Sequence, residues 1–291
     1  MSTHKFKQVD VFTSVPLKGN PVAVVFDADG LSDKEMQSIA AWTNLSETTF
    51  FRKASPGNGA DYQLRIFYPK GELPFAGHPT VGSAHAAIEG GIIPAGKREF
   101  VMECGAGLLP LRVEGDGPER RVFVRAPEAE FVHEFGTSVE AIAAVLGAPV
   151  AADPPPASIN NGPVWLFCGM ASSDIARLTP DMTAAARLSR DLSVSGFAPF
   201  ALVDGADHQV HIRVFAPDGG VPEDPVTGSA NASLPTYLLK YGLIEKSGRA
   251  YTSSQGTELG RDGRVHVRVL DDDRVEIGGH AVTVIDGEIR L

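Results

Sequence analysis

One supersecondary unit is written twice in this sequence, and that limits the possible folds more than any other feature. R-I-F-Y-P-K-G-E-L-P-F-A-G-H-P-T-V-G-S-A-H-A (65–86) returns as R-V-F-A-P-D-G-G-V-P-E-D-P-V-T-G-S-A-N-A (213–232). Arg65, Phe67, Pro69, Gly71 and Pro74 recur 148 residues later, as Arg213, Phe215, Pro217, Gly219 and Pro222. After a two-residue slip, Pro79, Gly82, Ser83, Ala84 and Ala86 recur 146 residues later, as Pro225, Gly228, Ser229, Ala230 and Ala232. Leu192, Ser193 and Phe197 likewise stand 147 residues after Leu45, Ser46 and Phe50. Self-similarity of this extent means two copies of one structural unit. Two such copies are expected to face each other across a cleft lined by similar polar loops.

The 291 residues suit two domains. The hydrophobic fraction of 43% and charged fraction of 21% are those of a globular chain able to bury a core in each half. A net charge of −10 argues against a nucleic-acid partner and against an anionic membrane surface. The start M-S-T-H-K-F-K-Q lacks the apolar stretch of a signal peptide, and no window is apolar enough for a membrane helix. Cys104 and Cys168 are the only cysteines and have no C-x-x-C spacing. Reduced thiols and a cytoplasmic location are the expectation.

Alternation and β-branched content predict strands at 9–13, 21–26, 48–52 and 62–68 in the first half. Ser32 with Glu35 forms a capping box for a helix that Asn44 ends. The small apolar run 79–88 reads as a buried helix stopped by Gly90-Gly91. In the second half, 162–168 echoes the strand after Gly19, and 173–188 reads as one Ala-rich helix. Four β-like segments follow, around 250 and at 265–270, 275–278 and 282–289, with Asp271-Asp272-Asp273 as a hairpin turn. The expectation is an α+β fold, with a curved sheet wrapped around a small-residue helix in each half.

Three motifs can carry chemistry. In N-L-S-E-T-T-F (44–50), Glu47 lies where helix gives way to strand, and Phe50, Phe51 and Trp42 are expected to desolvate it partly. Desolvation would bring its proton affinity toward that of a group able to take and give a proton near neutrality. A capped surface glutamate is the bland alternative. In A-G-H-P-T-V-G-S-A-H (76–85), Gly77 permits close backbone approach and the helix start offers N–H groups to an anion. His78 at its mouth can donate to a substrate, relay protons, or serve as a simple cap, while His85 reads as a core residue. In E-D-P-V-T-G-S-A (223–230), Asp224 can assist proton transfer or cap the helix. Gly228 and Ser229 suit a carboxylate or oxyanion, and Ser229 lacks the G-x-S-x-G elbow of a hydrolase nucleophile. Gln255-Gly256 and Gly260-Arg261 can bring an amide and a guanidinium toward a substrate, or serve only as turns. No Walker loop, dinucleotide fingerprint or metal-ligand cluster is present, and no metal is expected.

V-D-V-F-T-x-x-P-x-x-G-N-P-x-A-V-V, N-L-S-E-T-x-F, A-G-H-P-T-x-G-S-A-H and E-D-P-V-T-G-S-A together resemble the PhzF-like family of phenazine biosynthesis. The match runs from Val9 to about Gly242. The resemblance implies the diaminopimelate epimerase-like fold and a cofactor-free isomerase, commonly a homodimer, with its site between the halves. It assigns acid/base chemistry to Glu47 and further active-site places to His78, Asp224 and Ser229. Relatives that use two facing cysteines differ, because Ala76 and Asp224 stand at those places here. The family's G-R-P-S is G-R-D-G at 260–263, which puts a substrate or dimer contact near Arg261 in doubt.

The expected halves are residues 1–127, completed by a last strand at about 282–291, and residues 128–281. The leading expectation is an isomerase in which Glu47 moves a proton on a small carboxylate resembling trans-2,3-dihydro-3-hydroxyanthranilate. Gly77, His78, Gly228 and Ser229 would bind this substrate, and His78 and Asp224 would position it or relay protons. Two alternatives are a two-base epimerase or racemase using Glu47 and Asp224, and a non-catalytic carboxylate-binding protein.

Overall fold

The computed structural model describes residues 2–204 and 207–291. The chain divides into two compact units, Met1–Arg125 with Gly278–Leu291, and Ala126–Ile277.

In the first unit β1 (Thr3–Val11), β2 (Asn20–Val25), β3 (Glu47–Arg52), β4 (Tyr62–Tyr68), β5 (Gly71–Leu73), β6 (Glu99–Cys104), β7 (Gly107–Glu114) and β8 (Arg121–Arg125) build a mixed sheet. β2 and β3 pair parallel, as do β4 and β6, and the neighbouring pairs β1–β2, β3–β4, β4–β5, β6–β7 and β7–β8 are antiparallel. The C-terminal strand, Ala281–Arg290, returns to pair antiparallel with β1. The first strand is longer than the expected 9–13 because its register with the C-terminal strand runs from Thr3. It stops at Val11, where Phe12 turns to φ 64°.

Helix α1 (Asp33–Thr43) starts on the expected capping box. The Ser32 hydroxyl accepts from Glu35 N–H at 3.3 Å, and the Glu35 carboxylate accepts from Ser32 N–H at 2.8 Å. Asn44 ends it in the left-handed region. Met36, Ile39 and Ala40 bury one face against Val25, Phe50 and Phe67. Trp42 lies off that face and is 79% exposed, so it does not desolvate Glu47 as its closeness in sequence suggested.

Helix α2 (Gly77–Glu89) is the unit's axle, with every residue from Gly77 to Ala87 buried against β1, β2, β3, β8 and the C-terminal strand. Gly82 makes this fit possible, because a Cβ there would stand 2.6 Å from the side chains of both Val11 and Val22. Gly82→Ala gains up to about 1 kcal/mol of helix propensity but overpacks two stiff β-branched residues at a cost of about 1–3 kcal/mol. A net loss is expected, read as a lower urea midpoint with an unchanged slope; a raised midpoint would contradict the packing argument.

The second unit repeats this order. β9 (Glu130–Glu134) precedes α3 (Val139–Leu146), β10 (Ala157–Asn160) and β11 (Val164–Gly169). Helices α4 (Ser172–Ile175) and α5 (Met182–Asp191) lead to β12 (Gly196–Leu202), β13 (Val210–Ile212), β14 (Val214–Ala216) and β15 (Val221–Asp224). Then come α6 (Gly228–Lys240), β16 (Ala250–Gln255) and β17 (Gly263–Val269), while β18 (Val275–Gly279) begins in this unit and ends in the first. β11 and β12 pair parallel like β2 and β3, β13 and β16 parallel like β4 and β6, and β16 and β17 antiparallel like β6 and β7. Helix α6 is buried on β9, β10, β11 and β17. Each unit is thus a mixed sheet wrapped around a central helix, an α+β architecture.

The single helix expected over 173–188 is two helices. The carbonyls of Ile175 and Leu178 accept from Arg213 Nη1 at 3.1 and 3.0 Å, and Asp181 caps a new start at α5. Arg213 also grips Glu223 with Nε and Nη2, both at 2.8 Å, and its guanidinium lies 5.0 Å from the Phe215 ring centre. Its counterpart Arg65 grips Glu72 at 2.6 Å twice and lies 5.1 Å from Phe67. The repeated R-x-F therefore locks the strand hairpin that feeds each central helix.

Candidate functional site

Within the first unit, strand β3 opens on Glu47 and helix α2 opens on Gly77 and His78. The parallel register of β2 and β3 sets Glu47 beside Val22. His78 Nε2 lies 3.3 Å from Glu47 Oε2, with the side chains 6% and 16% exposed. Glu47 is thus largely desolvated, though without Trp42. Burial pushes the His78 imidazole down to about 3, opposed by a hydrogen bond to the Pro21 carbonyl. The imidazole is neutral at ordinary pH. Nε2 makes no hydrogen bond, so its 3.3 Å approach to Glu47 is a close contact and not an aligned bond. Ala76 at the N-cap offers no capping side chain, which leaves the N–H groups of Gly77 and His78 at the positive end of α2. His85, farther along the helix, is buried with Nε2 3.1 Å from Glu89 Oε1, part of a cluster that also holds Lys7.

Within the second unit, Asp224 ends β15, and Gly228 and Ser229 open α6. Asp224 is not the helix cap; Thr227 holds that position and donates its hydroxyl to Asp224 Oδ2 at 2.5 Å. The Ser229 hydroxyl accepts from the Trp165 indole N–H at 3.0 Å. Gln255 does not reach toward a substrate. Its side chain is fully buried, accepting from Thr227 N–H at 2.9 Å and Asn231 Nδ2 at 3.0 Å and donating to the Asp224 carbonyl at 3.0 Å and Thr227 Oγ1 at 2.9 Å. All four hydrogen-bonding positions of the amide are committed, three to the Asp224–Thr227 loop and one to Asn231 of α6. Gly256 is required by its φ of 92° and by the Pro225 carbonyl, 2.4 Å from where a Cβ would lie. Arg261 closes this turn through its N–H to the Gly256 carbonyl.

Sequence reasoning missed Thr227 and Trp165. Thr227 could have been found, since it sits inside the motif immediately before Gly228. Trp165 offers no local signal, because it lies 64 residues from the serine it touches. The thiols lie outside this chemistry: burial pushes Cys168 up to about 12 and raises Cys104. Among the described residues no group of three His, Cys, Asp or Glu could hold a metal ion, and no helix is long and apolar enough to cross a membrane.

The family model described as phenazine biosynthesis-like protein, PhzC-PhzF, matches residues 9–287. The chain belongs to this family. Among curated relatives of this PhzF-type chain, antisense-enhancing sequence 1 of Schizosaccharomyces pombe is 38% identical over 99% of both chains. Trans-2,3-dihydro-3-hydroxyanthranilate isomerase of Pseudomonas fluorescens is 37% identical over 99% of this chain and 100% of its own. The crystal structure of a Bacillus anthracis PhzF-family phenazine biosynthesis protein superposes over 100% of both chains with a TM-score of 0.87 at 28% identity. A hydroxyproline epimerase from Agrobacterium vitis shares the fold, with a TM-score of 0.70 at 13% identity over 99% of this chain and 93% of its own. The PhzF-type chain is therefore an isomerase with an epimerase-like fold, and the reading as a non-catalytic binding protein falls away.

Proposed function

We propose that this isomerase moves a proton at carbon on a small carboxylate without a cofactor, shifting a double bond, with Glu47 as the acid/base. The observation that carries the reading is the Glu47–His78 pair, a desolvated carboxylate 3.3 Å from a buried imidazole held neutral. A neutral imidazole leaves the carboxylate able to act as a base, where an imidazolium would hold it as an ion pair. Once Glu47 has taken a proton from carbon, the imidazole beside it, held neutral by burial, does not draw that proton away. The proton is then kept for return to the substrate. The reading assigns carboxylate binding to Gly77, Gly228 and Ser229, and positioning of substrate or relay of protons to Asp224. The residues matching Glu47 and Asp224 in the repeat are Val194 and Ala76, so the two units do not carry equivalent bases. This asymmetry supports isomerisation over a two-base epimerase, which needs acid/base groups on opposite faces.

Relatives named for trans-2,3-dihydro-3-hydroxyanthranilate make that compound the first substrate to test. In the same reading the enzyme works as a cytoplasmic homodimer, which gel filtration with light scattering checks. Proton NMR of the substrate with enzyme should show migration of the double bond. Inversion at a stereocentre would favour the epimerase instead. No turnover of this compound or of other small cyclic carboxylates would overturn the proposal.

A further inference from the structure

We propose that Trp165 is a positioning residue that fixes the polarity of the Ser229 hydroxyl, so that its hydrogen is presented to an anionic oxygen of the ligand. The proposal rests on the reading of Ser229 as a carboxylate-binding group and adds how that group is set.

An indole N–H only donates, so at 3.0 Å the Ser229 oxygen must accept from Trp165 Nε1. Ser229 makes no other side-chain hydrogen bond among the described residues, so its own hydrogen remains available. Trp165 is 6% exposed while Ser229 is half-buried, which places the donor inside and the hydroxyl at the edge of the packed region. A chain running from indole to hydroxyl to carboxylate polarises each hydrogen bond in the same sense.

The repeat supplies an internal comparison. Ser83 matches Ser229 and Thr49 matches Gly196; Thr49 pairs with Val24 in register, as Gly196 pairs with Trp165. Thr49 Oγ1 donates its one hydrogen to the Ala23 carbonyl at 3.2 Å, so at 2.8 Å it accepts from Ser83. The hydrogen of fully buried Ser83 is thereby committed to the core. In the second unit a glycine stands in place of the threonine and an indole in place of the valine paired with it. Gly196 pairs with Trp165 in register, and a Cβ at Gly196 would stand 3.0 Å from the indole ring and 2.2 Å from the Phe215 carbonyl. Removing the threonine makes room for the indole and reverses the polarity of the serine. One copy of the motif keeps its hydroxyl for the core, and the other turns it toward a ligand.

The test uses the full-length enzyme and anthranilate as the carboxylate probe. The chain has two tryptophans, so Trp42→Phe assigns the indole resonances of 15N-labelled protein. Ser229→Ala should shift the Trp165 Nε1–H resonance upfield in the ligand-free enzyme. By calorimetry, Ser229→Ala should weaken anthranilate binding about tenfold and Trp165→Phe about three- to tenfold, as expected for losing or misorienting a hydrogen bond to a charged group. The double variant should bind no more weakly than Ser229→Ala alone, because both act through one hydroxyl. A Trp165→Phe loss of the same size with and without Ser229 overturns the positioning role and leaves the reading of Ser229 intact. Unchanged affinity in Ser229→Ala overturns that reading, and this proposal with it. An unmoved indole resonance in Ser229→Ala overturns the hydrogen bond itself and needs no variant at Trp165.

Discussion

Glu47→Gln is expected to lower kcat by about 10²–10⁴-fold, the usual contribution of a positioned acid/base, with little change in KM. Glutamine keeps the length and shape of the side chain, so the start of β3 and the contact with His78 survive. It cannot take a proton from carbon. The hydrogen-bonded partners that hold the strand are backbone groups of β2 and β4, which the substitution leaves alone. Thermal melts should therefore overlay those of wild type, separating lost chemistry from lost structure. Steady-state kinetics with a kcat within threefold of wild type would remove Glu47 from the mechanism.

The largest expected effect on stability is at Arg213. Its side chain is 6% exposed and its principal partner Glu223 is 9% exposed, with Glu258 and His211 beside them. Arg213→Met fills much of the volume but leaves the Glu223 carboxylate and the carbonyls of Ile175 and Leu178 buried without their donor. Breaking a buried pair in this way costs about 3–5 kcal/mol. Arg65→Met removes the repeat counterpart, whose partners Asp33 and Glu72 are 81% and 41% exposed. Water takes over those carboxylates, and a loss of about 1 kcal/mol or less is expected. Urea unfolding of the two variants in parallel checks the contrast; equal losses would mean that burial does not distinguish the two arginine clamps.

These two residues also show what the sequence made legible. The repeat announced both arginines, and the local signals around them held where the determining contacts are local. The Ser32–Glu35 box, the Asn44 stop, the 62–68 strand and the turn at Asp271–Asp273 each depend on neighbours a few residues away. The break between α4 and α5 was not legible because its cause, Arg213, lies 38 residues beyond the carbonyl of Ile175. Gln255 looked like a ligand-facing amide, since nothing in its own segment names Thr227 and Asn231 as partners. Trp42 looked like a wall for Glu47 because it is five residues away, yet the helical turn between them points it outward. At the candidate site the motifs named Glu47, His78, Asp224 and Ser229, while the groups that orient them, Thr227, Trp165 and the Pro21 carbonyl, emerge only from tertiary contacts.

Turnover in deuterium oxide, followed by proton NMR with wild type and Glu47→Gln side by side, tests the central claim most directly. Wild type should give product in which the carbon that gains hydrogen carries solvent deuterium in measurable proportion. The folded Glu47→Gln enzyme should form product and exchange substrate hydrogen at least about 100-fold more slowly. Product or exchange at the wild-type rate in Glu47→Gln would contradict the assignment of the proton transfer to this carboxylate.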